Sequence, residues 1–231
     1  NVEWLTVLPE RFDGVVLACI DFGDPEVIEL VQSSIPVVTI DYLFNNRIAI
    51  MSDNVAGMKE LLEYIYSRGH RKIAYIHGAM SAVTSGRLSS FYRTAERLGL
   101  HIPDEYIREA AYRDTTTTYR VTNELLDLPN PPTCIIYPDD FASFGGINAI
   151  RQRGLQIPED ISVAGYDGIQ AARQLEPRLT TVQQDTEQIG CLAARELISL
   201  IERPKTTIIE QVIVPGKVAE GKSVARIPTD N

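Results

Sequence analysis

Four short stretches place polar and aromatic side chains directly after apolar runs of strand length, and a single arginine stands among several carboxylates. Asp41-Tyr42 follows IPVVTI, Tyr137-Pro138-Asp139-Asp140 follows PPTCII, and Tyr166-Asp167 closes the run ISVAG. Ala82-Val83-Thr84-Ser85-Gly86-Arg87 follows IAYIHG and opens the helical pattern LSSFYRTAERLG, while Tyr112 follows a weaker extended run at 106–111. A guanidinium and carboxylates form directed, charge-assisted hydrogen bonds, and aromatic rings cover apolar C–H faces. Together they make a chemistry for holding vicinal hydroxyls. Each residue also has a structural reading. Asp139 or Asp140 can cap the helix that follows, Asp41 can anchor a turn, and Tyr42 and Tyr112 can be partial core. Arg87 can be a surface arginine, although a cation near a helix start is poorly placed against the helix dipole.

Catalytic patterns are not found in the sequence. It has no G-x-S-x-G elbow, no phosphate-binding Walker loop and no H-E-x-x-H. His70, His77 and His101 lack metal-ligand spacing, and His70, after Gly69, reads as serving a helix end. Asp139 and Asp140 are adjacent, so at a helix start they diverge. No catalytic residue, metal ligand or cofactor is assigned, and the chain reads as a binder rather than an enzyme.

The elements that must position these residues alternate along the chain. Strand candidates are Val15–Ile20, Val37–Ile40, Ile73–His77, Thr133–Tyr137, Ile161–Ala164 and Ile208–Val214. Helical spacing of Val55, Met58, Leu62 and Ile65 predicts a helix over Ser52–Arg68 ended by Gly69. A second helix is expected over Glu187–Ile201, with Ile189, Leu192, Leu197 and Ile201 inward. Strand runs that are apolar throughout imply sheets covered on both faces. The strand-helix alternation then predicts a doubly wound parallel α/β architecture, in which carboxylates just past the strand ends share one rim. The segment from Gly216 to Asn231 is expected to be polar and loosely held. A net charge of −9 argues against a direct phosphate-binding surface. Cys19, Cys134 and Cys191 are far apart and read as reduced core thiols, which fits a cytoplasmic protein. No window has the apolar length of a membrane span.

The ordered series FDGVVL (12–17), IPVVTID (35–41), SDNVAG (52–57), RGHRKIAYIHG (68–78), GRLSSF (86–91), PPTCIIYPDDFASFGG (131–146), LQIPEDISVAGYDG (155–168) and LTTVQQD (179–185) resembles the effector-binding core of the lactose/galactose repressor (LacI/GalR) family of bacterial transcription regulators. The likeness runs from Phe12 to about Val214. It implies a periplasmic-binding-protein-like fold of two doubly wound parallel-sheet subdomains: 1–51 with 185–214, and 52–184 with 215–231. The ligand contacts it implies are Asp41, Tyr42, Arg87, Tyr112, Asp139, Asp167 and Gln184. Asp139 stands where many sugar-binding members have Asn, and Gly168 replaces an acidic residue often found after GYD. The resemblance further implies that the chain lacks the helix-turn-helix headpiece and that its amino-terminal subdomain is truncated, NVEWLTVLPER matching the end of that subdomain's second helix. The expected function is an effector-sensing domain for a small polar molecule, a sugar or alternatively a nucleoside. Operator DNA would be met only through the headpiece, in a homodimer and without a membrane. The alternative is a solute-binding protein of a sugar transporter.

Overall fold

The structure, a computed structural model, describes residues 11–20 and 22–228. The helix end expected in NVEWLTVLPER falls almost wholly outside them. Ten strands are found among the described residues: β1 (Val15–Leu17), β2 (Val37–Ile40), β3 (Ile48–Ser52), β4 (Ile73–His77), β5 (Ile107–Glu109), β6 (Cys134–Ile136), β7 (Ser162–Asp167), β8 (Thr180–Gln183), β9 (Gln211–Val214) and β10 (Lys217–Ala219). The helices are α1 (Pro25–Gln32), α2 (Asn54–Ser67), α3 (Ala82–Arg97), α4 (Thr115–Leu126), α5 (Asp140–Gln152), α6 (Gln170–Arg173) and α7 (Thr186–Glu202). The chain divides into two compact units, residues 1–53 with 185–215 and residues 54–184 with 216–231.

The first unit holds a sheet of order β1-β2-β3-β9, parallel throughout. Alternate residues of β2 face opposite ways, as the two-residue period of a strand requires. Val37 packs with Val27, Leu30 and Val31 of α1, and Val38 packs with Ile189 and Ala193 of α7. Helix α1 starts where the Asp24 side chain accepts from the Glu26 N–H and Pro25 takes the first helical position.

The second unit holds a sheet of order β10-β8-β7-β6-β4-β5. Strands β4 to β8 run parallel and β10 antiparallel to β8. Its two faces carry separate cores. Ile73 and Tyr75 of β4 pack with Met58, Leu62 and Phe91, while Ala74 and Ile76 pack with Val121, Leu125 and Ile150. Burial on both faces explains why these strands read as unbroken apolar runs. Because β4 to β8 share a direction, the residues that follow their carboxyl ends lie along one rim.

Several expectations need correction. Val55 is exposed: it lies in the first turn of α2, where its carbonyl takes the Ser90 hydroxyl at 2.6 Å. Ile201 is exposed in the last turn of α7. Cys19 and Cys191 are exposed rather than core, and only Cys134 is buried. The carboxyl-terminal segment is firmly tied. Ser223 Oγ donates to the Val163 carbonyl and accepts from the Thr180 N–H, the Ala225 N–H reaches Ser162 Oγ, and the Ile227 N–H reaches the Arg68 carbonyl. His70 is buried by the same segment, one ring nitrogen 3.2 Å from the Ala225 carbonyl and the other 2.9 Å from Thr133 Oγ1.

Candidate functional site

The polar rim of the second unit is built around Arg87. Helix α3 starts at Ala82, inside the stretch expected to lead into the helical pattern LSSFYRTAERLG, because the Ser81 side chain caps it by accepting from the Thr84 N–H at 3.1 Å. Arg87 therefore lies in the second turn and is almost fully buried. A buried guanidinium must have its donors matched. Its Nε donates to Asn54 Oδ1 at 2.8 Å and its Nη1 to the Pro138 carbonyl at 2.9 Å. The guanidinium carbon sits 3.5 Å from the centroid of the Tyr166 ring and 5.9 Å from that of Tyr112, a cation–π setting. Nη2 reaches toward Asp167 Oδ1 at 3.9 Å, beyond hydrogen-bond range. The arginine is thus pinned on three sides with one edge turned to a carboxylate.

Asp167 ends β7 with φ +108, in the left-handed range, which holds its side chain at the strand terminus. It is a third exposed and accepts from Gln184 Nε2 at 2.9 Å. Desolvation pushes its carboxyl up to about 7; the Arg87 charge works against that rise, and Asp139 and Asp140 add to it. Gly168 follows with φ +75, and a Cβ there would come within 2.7 Å of Gln183 Cα. A side chain there would be strained on this backbone and would crowd Gln183.

Asp139 is buried and caps α5: its Oδ1 accepts from the Ala142 N–H at 2.7 Å and its Oδ2 from the Arg113 N–H at 2.8 Å. Through that second bond it fastens the loop carrying Tyr112, whose hydroxyl lies 2.8 Å from Thr84 Oγ1. The Tyr112 ring rests where a side chain on Gly78 would be: a Cβ there would sit 2.2 Å from it. Asp140 points elsewhere, accepting from Thr181 Oγ1 at 2.6 Å and the Ile169 N–H at 2.8 Å. Burial pushes its carboxyl up to about 6, partly offset by those bonds.

The second unit thus brings together Arg87, Tyr112, Asp167 and Gln184, with Asp139 beneath them as a cap and loop anchor. Asn54 and Tyr166 hold Arg87, and neither is among the residues the sequence singled out as contacts. Tyr166 had a signal in GYD, but Asn54 acts only because the start of α2 reaches α3. In the first unit, Asp41 has φ +57 and accepts from the Ser52 N–H at 2.7 Å and from Ser52 Oγ at 3.3 Å, a turn anchor between β2 and β3. Tyr42 stacks on Phe22, centroids 4.4 Å apart, and leans on Phe44 at 4.8 Å. Among the described residues, no group of His, Cys, Asp and Glu has the arrangement of a metal site, and no helix is long and apolar enough to cross a membrane.

Two α/β units, one with a parallel and one with a mostly parallel sheet, and in the second a rim of pinned arginine, carboxylate and tyrosine, define a chain of the periplasmic-binding-protein-like class. Residues 62–224 match the family described as periplasmic binding protein-like domain. The chain is 33% identical over 229 residues to "Probable HTH-type transcriptional repressor ExuR" of Bacillus subtilis (strain 168), covering 97% of this chain and 68% of that protein. It is 30% identical over 227 residues to "HTH-type transcriptional repressor PurR" of Serratia proteamaculans (strain 568), covering 95% and 65%. The chain spans about two thirds of the length of these relatives. A LacI family transcriptional regulator from Enterococcus faecium, crystallised with bound ribose, superposes with a TM-score of 0.87 at 24% identity, over 98% of this chain and 85% of that one. That last likeness is one of fold. The chain belongs to the LacI/GalR family, as an effector-binding domain.

Proposed function

We propose that this domain senses a small neutral sugar and passes its occupancy to a helix-turn-helix DNA-binding domain of a cytoplasmic, dimeric transcription repressor. The observation that carries the reading is Arg87: buried, held by Asn54, Pro138 and Tyr166, with Nη2 turned toward a partly exposed Asp167. A donor edge beside an acceptor suits a vicinal diol, which offers an acceptor and a donor at matching spacing. Arg87 clamps hydroxyl oxygens, Asp167 accepts from a hydroxyl, Gln184 orients Asp167, and Tyr112 covers a C–H face. Asp139 acts mainly through the Tyr112 loop. In the first unit, taken by itself, Asp41 and Tyr42 are the residues proposed to meet a ligand. Relatives named as helix-turn-helix repressors support the regulatory half of the reading, and the ribose-bound neighbour supports the sugar half. The transporter solute-binding alternative is not favoured by these names.

A ligand can alter DNA binding only by as much as its affinity differs between the two conformations it selects. The test is a thermal-shift screen of D-ribose, D-glucose, D-galactose and cellobiose against sugar phosphates and nucleosides. A sugar at a hundred times its Kd adds about 2.7 kcal/mol of stability. Shifts with nucleosides alone would replace the sugar reading. For the regulatory half, the gene's whole product should bind operator DNA differently with and without the sugar that scored, and equal binding would remove it.

A further inference from the structure

Tyr75 lies in the middle of β4 and is fully buried, yet its hydroxyl meets no hydrogen-bond partner among the described residues. Two other buried polar atoms share that condition, Glu26 Oε2 and Arg68 Nε, but both belong to side chains with further polar atoms. Tyr75 has only this one. Other buried tyrosines are satisfied: Tyr106 donates to the Asn130 carbonyl at 2.6 Å, and the Tyr137 hydroxyl lies 3.0 Å from Thr122 Oγ1. Native interiors rarely strand such a group. A phenylalanine would fill nearly the same volume without the penalty of an unserved hydroxyl.

The location of the hydroxyl gives it a use. The Tyr75 ring packs against Phe91, centroids 5.2 Å apart, and edge-on to His77 at 6.2 Å. Arg87 precedes Phe91 by four residues on α3, so both lie on one helix face and Arg87 is one turn nearer the rim. Tyr166, on which Arg87 lies, belongs to the same buried cluster as Tyr75. Tyr75 and Arg87 thus share neighbours in Phe91 and Tyr166. Electrostatics agree: burial raises the Tyr75 phenol above its ordinary range, and the Arg87 charge opposes that rise.

We propose that Tyr75 is a specificity-determining residue of the sugar site: its hydroxyl forms the floor beneath Arg87 and hydrogen-bonds a sugar hydroxyl that enters beside the guanidinium. The inference rests on the sugar-binding reading above. A site with a buried partner waiting for a hydroxyl rejects the deoxy analogue strongly, because the analogue leaves that partner unpaired. Neither composition nor strand pattern points to Tyr75, which reads simply as a large core residue.

The experiment compares the wild-type chain with Tyr75→Phe in two measurements. Thermal unfolding without sugar should give Tyr75→Phe an equal or higher Tm, since an orphaned hydroxyl is being removed. A Tm lower by several degrees would mean that the hydroxyl is bonded within the protein's own fold, which overturns the proposal. Calorimetry with D-ribose, D-glucose, D-galactose and cellobiose should show Tyr75→Phe binding the wild type's preferred sugar at least tenfold more weakly. The variant should also lose most of the wild type's preference for that sugar over its deoxy analogues. Equal affinity in the two proteins overturns the role of Tyr75 and leaves the sugar reading standing. Binding of none of the four sugars by the wild type overturns the sugar reading and this inference with it.

Discussion

Arg87 carries the largest single share of the proposed binding, and its loss should be the clearest residue-level result. Arg87→Ala removes charge-assisted donors to the ligand and should cost about 1.5–3 kcal/mol, roughly tenfold or more in Kd. Titration calorimetry with the sugar selected by the thermal-shift screen measures this, and unchanged affinity would take Arg87 out of the site. Asp167 should make stability depend on pH. Its folded carboxyl is pushed up to about 7 and that of Asp140 to about 6, mainly by desolvation. An unfolded Asp titrates near ~3.9. Between about pH 4 and 7 the folded chain therefore holds more protons at these groups than the unfolded one, so their contribution to stability falls as pH rises through that window. Asp167→Asn should reduce the slope across this window and abolish these groups' contribution between about pH 6 and 7, where Asp167 alone titrates. Urea unfolding at several pH values checks this; parallel slopes for variant and wild type would contradict it. Arg87, Asp139 and Asp167 could be singled out from sequence because each follows a strand in a motif of known type. Whether Asp139 capped a helix or faced a ligand stayed open. The Arg113 N–H that decides its second oxygen lies 26 residues away in sequence.

At the scale of elements, the deciding fact is that one carboxylate joins the start of α5 to the loop before α4. Asp139→Asn should keep one acceptor but bring an amide donor against either the Ala142 or the Arg113 N–H, whichever way the amide turns. Leaving one buried donor unmatched should cost about 1–3 kcal/mol in a denaturant midpoint series. Asp139→Ala, which loses the cap as well, should cost about 1 kcal/mol more. A stability for Asp139→Asn equal to the wild type would show that the loop does not depend on the carboxylate. The same logic applies to Ser223, which serves Val163 and Thr180 at once. The long strands β4 and β7 were legible because both faces are apolar. Strands β8 and β10 were not: TTVQ and KVA are short and polar, and what makes them strands is nonlocal. Thr180 gives its N–H to Ser223 and Thr181 its hydroxyl to Asp140, bonds that no local pattern announces. The same gap made the carboxyl-terminal segment read as loose.

At the scale of the whole molecule, two units of the same architecture differ in how much core holds them. The six-stranded sheet of the second unit is sandwiched between clusters of fifteen buried residues each, among the described residues. Among the described residues, the four-stranded sheet of the first unit lies between clusters of six each. Buried apolar area is the main favourable term in folding, and regions with less of it open at lower free energy. Edge position adds to this difference. Among the described residues, strand β1 has three residues and pairs on one side with β2, and β9 pairs with β3 and carries the exposed Ile213. Amides of β1 and β9 should therefore exchange with solvent deuterium well before those of β6 and β7, whose neighbours flank them on both sides. The sugar that scores in the thermal-shift screen should slow exchange at the ends of β7 and β8 and at the start of α3, where the proposed contacts lie. Hydrogen exchange read by mass spectrometry resolves all of these segments. Equal protection of β1 and β6 would show that core size does not set the order of opening. Sugar-induced protection that spared the carboxyl end of β7 would remove the ligand from the rim on which Arg87 and Asp167 meet.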